Sequence, residues 1–187
     1  MHPPRKLLLY RYGLLALAFV LPMSFSGLST ADTENPAELR TKSVAQVVQG
    51  ILSYARWPND PQTLRLCIVA PTQYTDLLLS DLTTQSQRPI HTRRLLADSS
   101  QLESDCDAVY VGVLPTNDRQ ALFSRLLGKP ILSISETGND CNEGSLFCLA
   151  VGDRQTAFKI NLDAVARSGI RVHPNVLRLN KQGDAQP

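Results

Sequence analysis

The sequence predicts an α/β sandwich, a single domain with a mixed, partly parallel sheet flanked by helices and two disulfides. Three observations carry this. Strand-like and helix-like segments alternate along the chain, as a parallel sheet with crossover helices requires. One strand, Ala108–Val113, is apolar almost throughout and reads as buried on both faces. Four cysteines lie where two strands and one turn can bring them together in pairs.

The first segment does not belong to that domain. Met1–Tyr12 carries Arg5, Lys6 and Arg11 with no acid; Gly13–Leu21 is an unbroken apolar run, and Ser29-Thr30-Ala31 offers the small residues a signal peptidase reads. The run is shorter than the about 20 residues a bilayer span needs, so residues 1–31 read as a signal peptide rather than an uncleaved anchor, with 32–187 as the exported domain. Its removal takes three of the nineteen Lys and Arg and none of the seventeen Asp and Glu. The remaining net formal charge is −1. The basic balance belongs to the leader, which removes support for nucleic-acid binding, and Arg65, Arg93 and Arg94 read as scattered solvated charges.

In order, Asn35-Pro36-Ala37-Glu38 is a helix start, with Asn35 as cap, Pro36 in the first turn and Glu38 placed for a capping box. Val44, Val47, Val48, Ile51, Leu52 and Ala55 then follow a helical period. Gly50 within it points to a close neighbour, and Arg56-Trp57-Pro58 closes it. Leu64–Val69 is a strand, Ala70-Pro71-Thr72 a turn, and Tyr74–Leu82 a helix. Ile90–Leu96 and Ala108–Val113 are strands, and a doubly wound order would set Leu64–Val69 beside Ala108–Val113. Asp118–Leu127 is a helix capped by Thr116 or Asn117, with Leu122, Phe123, Leu126 and Leu127 inward. Ile131–Ile134 is a strand, and Phe147–Val151 with Thr156–Ile160 a hairpin. Asn161 caps a helix whose inward face is Leu162, Val165 and Ala166, and Ser168-Gly169 ends it. Ile170 and Val172 then alternate with Arg171 and His173 along an extended segment locked by Pro174.

All four cysteines follow the leader, and an even count in an exported chain argues for disulfides. Of three possible pairings we prefer Cys67–Cys106 with Cys141–Cys148, because Gly144 can turn the chain between the latter two; whether Cys67 and Cys106 are oxidised stays open. Zinc is the rival, but no Cys-x-x-Cys occurs.

Catalytic signatures are sparse. Beyond the leader the only histidines are His91 and His173, no G-x-S-x-G surrounds a serine, and no glycine-rich phosphate loop follows the first strand. Ser135 with His173 is the hydrolase alternative, since triads are set by geometry rather than sequence order. The acids Asp105, Asp107, Asp140 and Glu143 read as solvated loop residues. The chain reads as a binding protein rather than an enzyme. Arg56, Arg171 and His173 are expected to line a pocket for a small anion, with Trp57 or a neighbouring apolar side chain as wall, Trp57 being alternatively a core plug; Arg56 and Arg171 could instead pair with acids such as Asp60 and Asp163. Ile170, Val172, Val176 and Leu177 form an apolar strip that either meets a partner or packs on the sheet.

GILSYARWP (Gly50–Pro58), LCIVAP (Leu66–Pro71), CDAVYVG (Cys106–Gly112), ILSISET with DCNEGSLFCL, and above all NLDAVARSGIRVHPNVLRL (Asn161–Leu179) resemble the YfiR family of periplasmic repressors. The resemblance covers most of the exported chain. It implies a periplasmic protein, dimeric and with two disulfides per chain, that binds the periplasmic part of a YfiN-type membrane diguanylate cyclase and holds it inactive. Release would raise cyclic di-GMP and favour biofilm, a YfiB-type outer-membrane lipoprotein would sequester the repressor, and disulfide status would tune it. The resemblance also implies that a pocket able to take a nucleotide or tryptophan falls on Arg56, Arg171 and His173. No cofactor or metal is expected. The alternative is a stand-alone periplasmic sensor of a small anionic ligand, nucleotide or amino acid.

Overall fold

The computed structural model describes residues 35–80, 82–83, 88–137 and 141–181. All of these lie in one compact unit. The expected leader, Asp140 and the tail beyond Lys181 fall outside the described residues.

Helix α1 (Pro36–Tyr54) begins as its sequence demands: the Asn35 side chain accepts from the Ala37 amide at 3.0 Å. Glu38 turns to Lys42 one turn on. The stripe Val44, Val47, Val48, Ile51 and Leu52, followed by Ala55, is buried as its spacing predicts. The helix stops at Tyr54, earlier than Arg56-Trp57-Pro58 suggested, and Ala55–Arg56 is already extended as β1. Its partner is β9 (Arg171–Val172), which pairs antiparallel with it as a separate two-residue ribbon.

The main sheet has seven strands in the order β3-β4-β2-β5-β6-β7-β8. Strands β4 (Pro89–Leu95), β2 (Leu64–Val69), β5 (Ala108–Val111), β6 (Leu132–Ser135) and β7 (Phe147–Val151) run parallel. β3 (Leu82–Thr83) and β8 (Thr156–Ile160) add antiparallel edges. The first and third strands of the parallel set are neighbours, as expected, with Cys67 opposite Val109. Because side chains alternate across a strand, Leu64, Leu66, Ile68, Ala108 and Tyr110 join the α1 core. Val69, Val109 and Val111 join a second core under α2 (Gln101–Ser104) and α3 (Thr116–Leu126).

Several expectations are corrected. Tyr74–Leu82 is not a helix: it holds a single 3-10 turn, Asp76–Leu78, followed by edge strand β3. Three apolar positions at helical spacing are too few to sustain a helix, and the Glu136 carboxylate takes the Gln73 and Tyr74 amides in the preceding loop. Helix α3 starts after Pro115 with no side-chain cap, and Leu127, its C-cap, is 53% exposed rather than inward. In α4 (Leu162–Ser168) the Asn161 cap is as expected, accepting from the Ala164 amide at 2.9 Å. The fully inward residues are Ala164 and Ser168, and Val165 is half-buried against the core as expected, while Leu162 is 75% exposed and Ala166 is exposed too. Small groups one turn apart let this short helix approach closely. Gly169 follows with φ 72°, a conformation that suits glycine.

The charges are less scattered than the sequence suggests. Arg65 grips the buried Asp107 through two side-chain bonds, Nε to Oδ2 at 3.0 Å and Nη2 to Oδ1 at 2.9 Å. Arg93 pairs with Asp105 at 3.1 Å, Arg94 donates to Thr75 Oγ1 at 3.1 Å, and Arg119 pairs with Glu143.

Both preferred disulfides are formed, Cys67–Cys106 and Cys141–Cys148, with sequence separations of 39 and 7. On the chain-entropy estimate the longer loop is worth about 4 kcal/mol and the shorter about 2 kcal/mol. Melting of the double alanine variants should therefore show a larger loss for Cys67/Cys106 than for Cys141/Cys148. Equal losses, or the reverse order, would contradict this placement of the long-range constraint.

Candidate functional site

The end of α1 and the start of the C-terminal segment build a cleft of about 630 Å³ lined by Ser53, Tyr54, Arg56, Arg171, His173 and Asn175 together with Val172 and Pro174. Its geometry follows from backbone register. Ala55 stands opposite Val172 and Arg56 opposite Arg171. The His173 amide donates to the Tyr54 carbonyl at 2.9 Å, an acceptor that the end of the helix would otherwise leave open. The Tyr54 and His173 rings stack at 6.2 Å between centroids. His173 Nδ1 accepts from the Asn175 amide at 3.1 Å and caps the 3-10 turn Pro174–Leu177. A neutral His173 therefore carries its proton on Nε2.

Two arginines directly across an antiparallel ladder repel one another. Neither forms an ion pair among the described residues: Asp60 is taken by Arg88 and Asp163 by Arg167. Arg56 Nη1 donates to the Ser53 and Ala55 carbonyls, at 2.8 and 2.7 Å, which fixes its guanidinium against the end of α1. The Arg171 side chain is exposed and makes no hydrogen bond among the described residues. The pair is thus one fixed and one free cation facing the same cleft, an arrangement that an anion would neutralise.

The structure brings Arg56, Arg171 and His173 together and leaves Trp57 out. Trp57 is buried and donates its indole N–H to the Asp107 carbonyl at 2.8 Å, so it is the core plug, and Tyr54 supplies the aromatic wall instead. The apolar strip also divides. Ile170 and Val176 are in the core at 4% and 1% exposure, Val172 is half-buried, and Leu177 is 52% exposed. A partner can reach only the last two. Ser135 is buried and donates to the Thr137 carbonyl; it does not line the cleft that holds His173. Sequence reasoning missed Tyr54 and Asn175, which flank the named residues and become visible only once the ribbon register is known.

It also missed Glu136. This buried acid follows β6 at the carboxyl end of the parallel strands, where sites of α/β sheets collect. Its Oε1 accepts from the Gln73 amide, the Tyr74 amide and the Tyr110 hydroxyl, each at 3.0 Å. Burial pushes the Glu136 carboxyl above its ordinary value, against the pull of the Gln73, Tyr110 and Tyr74 hydrogen bonds. Burial and the neighbouring Glu136 push the Tyr110 hydroxyl up as well.

The sequence matches the family model described as YfiR/HmsC-like over residues 41–181. The chain belongs to the YfiR/HmsC-like family. The matched region spans the described domain from the second turn of α1 to α5 (Arg178–Lys181), so it contains both the ribbon and the two disulfides. Membership supports a role as a regulator in the periplasm, and a regulatory partner in cyclic di-GMP signalling. Among the described residues no helix is long and apolar enough to cross a membrane, and no group of three His, Cys, Asp or Glu side chains could hold a metal ion.

The raised Glu136 carboxyl gives a signed pH dependence. Its stabilising contribution is complete below the ordinary value of 4.5 and is lost as pH rises through the higher value in the fold. Glu136→Gln keeps the shape and removes the titration. Between pH 4.5 and 8 the melting temperature of the wild type should fall relative to that of the variant. A constant difference, or one of opposite sign, would contradict the assignment.

Proposed function

We propose that this protein is a periplasmic negative regulator. It binds the periplasmic part of a YfiN-type membrane diguanylate cyclase and inhibits it, lowering cyclic di-GMP signalling and biofilm formation. The observation that carries this is the family match across residues 41–181. The protein acts by contact rather than by catalysis, works as a homodimer, and is sequestered by a YfiB-type outer-membrane lipoprotein when repression is relieved. Leu177 and Val172 supply the apolar part of the contact, because they are the exposed and half-buried members of the strip beside the cleft. Ile170 and Val176 support it from the core.

A second reading is favoured by one specific observation, the Arg56–Arg171 pair with no acid between its members among the described residues. On this reading the protein senses a small anion, a nucleotide or an amino acid such as tryptophan, held by Arg171 and Arg56 with His173 Nε2 and the Tyr54 ring at the cleft wall. The two readings are compatible, since β9 and the turn carrying Leu177 are contiguous.

The test of the first reading is cellular. Leu177→Asp, on an exposed side chain, should leave melting within about 0.5 kcal/mol of wild type, lose co-purification with the cyclase, and raise cyclic di-GMP in cells. Ile170→Asp buries a charge and should instead unfold the domain. A folded Leu177→Asp protein that still captures the cyclase and represses fully would contradict the proposed contact.

A further inference from the structure

The Glu136 carboxylate opens on a second cleft of about 570 Å³, which shares no lining residue with the arginine cleft. Its construction follows from strand length. β6 ends at Ser135, opposite Cys148, whereas β7 runs on to Val151. Leu149–Val151 therefore have no β6 neighbour, and the gap beyond β6 is walled by Gln73 and Tyr74 from the loop after β2, with Glu136 and Thr137 at its head.

Three features of this cleft point to one ligand chemistry. The acid is 5% exposed and is held by the two loop amides and the Tyr110 hydroxyl, with no ion-pair partner among the described residues. Oε1 takes three of those bonds, while Oε2 accepts only from the Gln73 amide, at 3.1 Å, and so keeps acceptor capacity. Thr137 Oγ1 is shielded from solvent and has no hydrogen-bond partner among the described residues. A buried carboxylate without a counter-charge is costly, and an unmet hydroxyl beside it adds to the cost. The remaining wall is the aromatic Tyr74 and the apolar Leu149 and Val151. A metal ion is disfavoured by the donor set, since one carboxylate and one hydroxyl fall short of the ligand number hard cations require.

We propose that this cleft binds a primary ammonium group carried on a short apolar chain, with Glu136 Oε2 as counter-ion, Thr137 Oγ1 as hydrogen-bond partner and Leu149 and Val151 along the chain. The site is independent of the cyclase reading and of the arginine cleft, and its failure would leave both standing.

The test uses amide NMR of the ¹⁵N-labelled domain with three probes of equal length, n-butylammonium, n-butanol and n-butyrate. Butylammonium should shift the Gln73, Tyr74, Thr137 and Val151 resonances saturably, and butanol should bind at least about tenfold more weakly, the worth of one charge-assisted bond. Butyrate should not bind. Glu136→Gln, whose spectrum reports its own folding, should lose about tenfold or more in butylammonium affinity. The proposal is overturned if butylammonium produces no saturable shift, if butanol or butyrate binds as well, or if folded Glu136→Gln binds as the wild type does. Should Glu136→Gln fail to fold, the order of the three probes on the wild type decides the matter alone.

Discussion

Two residue pairs, Ala55 with Val172 and Arg56 with Arg171, set the geometry of the arginine cleft. They tie the end of the first helix to a segment more than a hundred residues later, and the His173 amide completes the tie by satisfying the last helical carbonyl. Register then does the rest. It sets two guanidinium side chains face to face, stacks His173 on Tyr54, and turns Ile170 and Val176 into the core while Leu177 stays outside. Close by, α5 meets the same helix: a Cβ at Gly50 would lie 2.7 Å from Leu179 Cδ1, so any larger residue there requires the Leu179 side chain to shift. The Asn180 amide bonds both the N–H and the C=O of Phe158 at 2.9 Å, closing the free edge of β8.

A cluster beneath the ribbon links it to the rest of the fold. Trp57, next to Arg56, is held by the Asp107 carbonyl; Asp107 is held by Arg65; and Cys106, one residue earlier, is bonded to Cys67 in β2. The long-range disulfide therefore lies one residue from Asp107, whose carbonyl anchors Trp57 next to the arginine cleft.

Much of the architecture was legible in the residues. The α1 stripe from Val44 to Ala55 has one periodicity and one solution, and the apolar runs at Leu64, Ala108 and Phe147 allow only buried strands. The preferred cysteine pairing rested on the Gly144 turn between Cys141 and Cys148, and the adjacency of Leu64–Val69 and Ala108–Val113 suits Cys67 with Cys106. What could not be read was which apolar face a neighbour covers. Alternation in Ile170–His173 separates two faces but does not say that Ile170 packs in the core, and of the expected α4 face Leu162, Val165 and Ala166 only Val165 packs inward, beside the small pair Ala164 and Ser168. Tyr74–Leu82 is not a helix because its first amide, with that of Gln73 before it, answers to Glu136, a partner more than sixty residues away, and a single 3-10 turn follows. Of the expected site, the three basic residues converge; the aromatic wall is Tyr54 because the chain turns extended at Ala55 and carries Trp57 inward.

The central claim is that Arg56 and Arg171 are held in mutual repulsion for an anion to relieve. Thermal melting of wild type and Arg171→Ala, with and without a nucleoside monophosphate at low salt, tests it directly. Removing one like charge from a directly opposed pair relieves about 0.2–1 kcal/mol. Arg171→Ala should therefore melt no lower than wild type without ligand, the nucleotide should raise the wild-type melting temperature in a salt-sensitive way, and the variant should not respond. A variant that melts lower without ligand and still responds to the nucleotide would contradict the account.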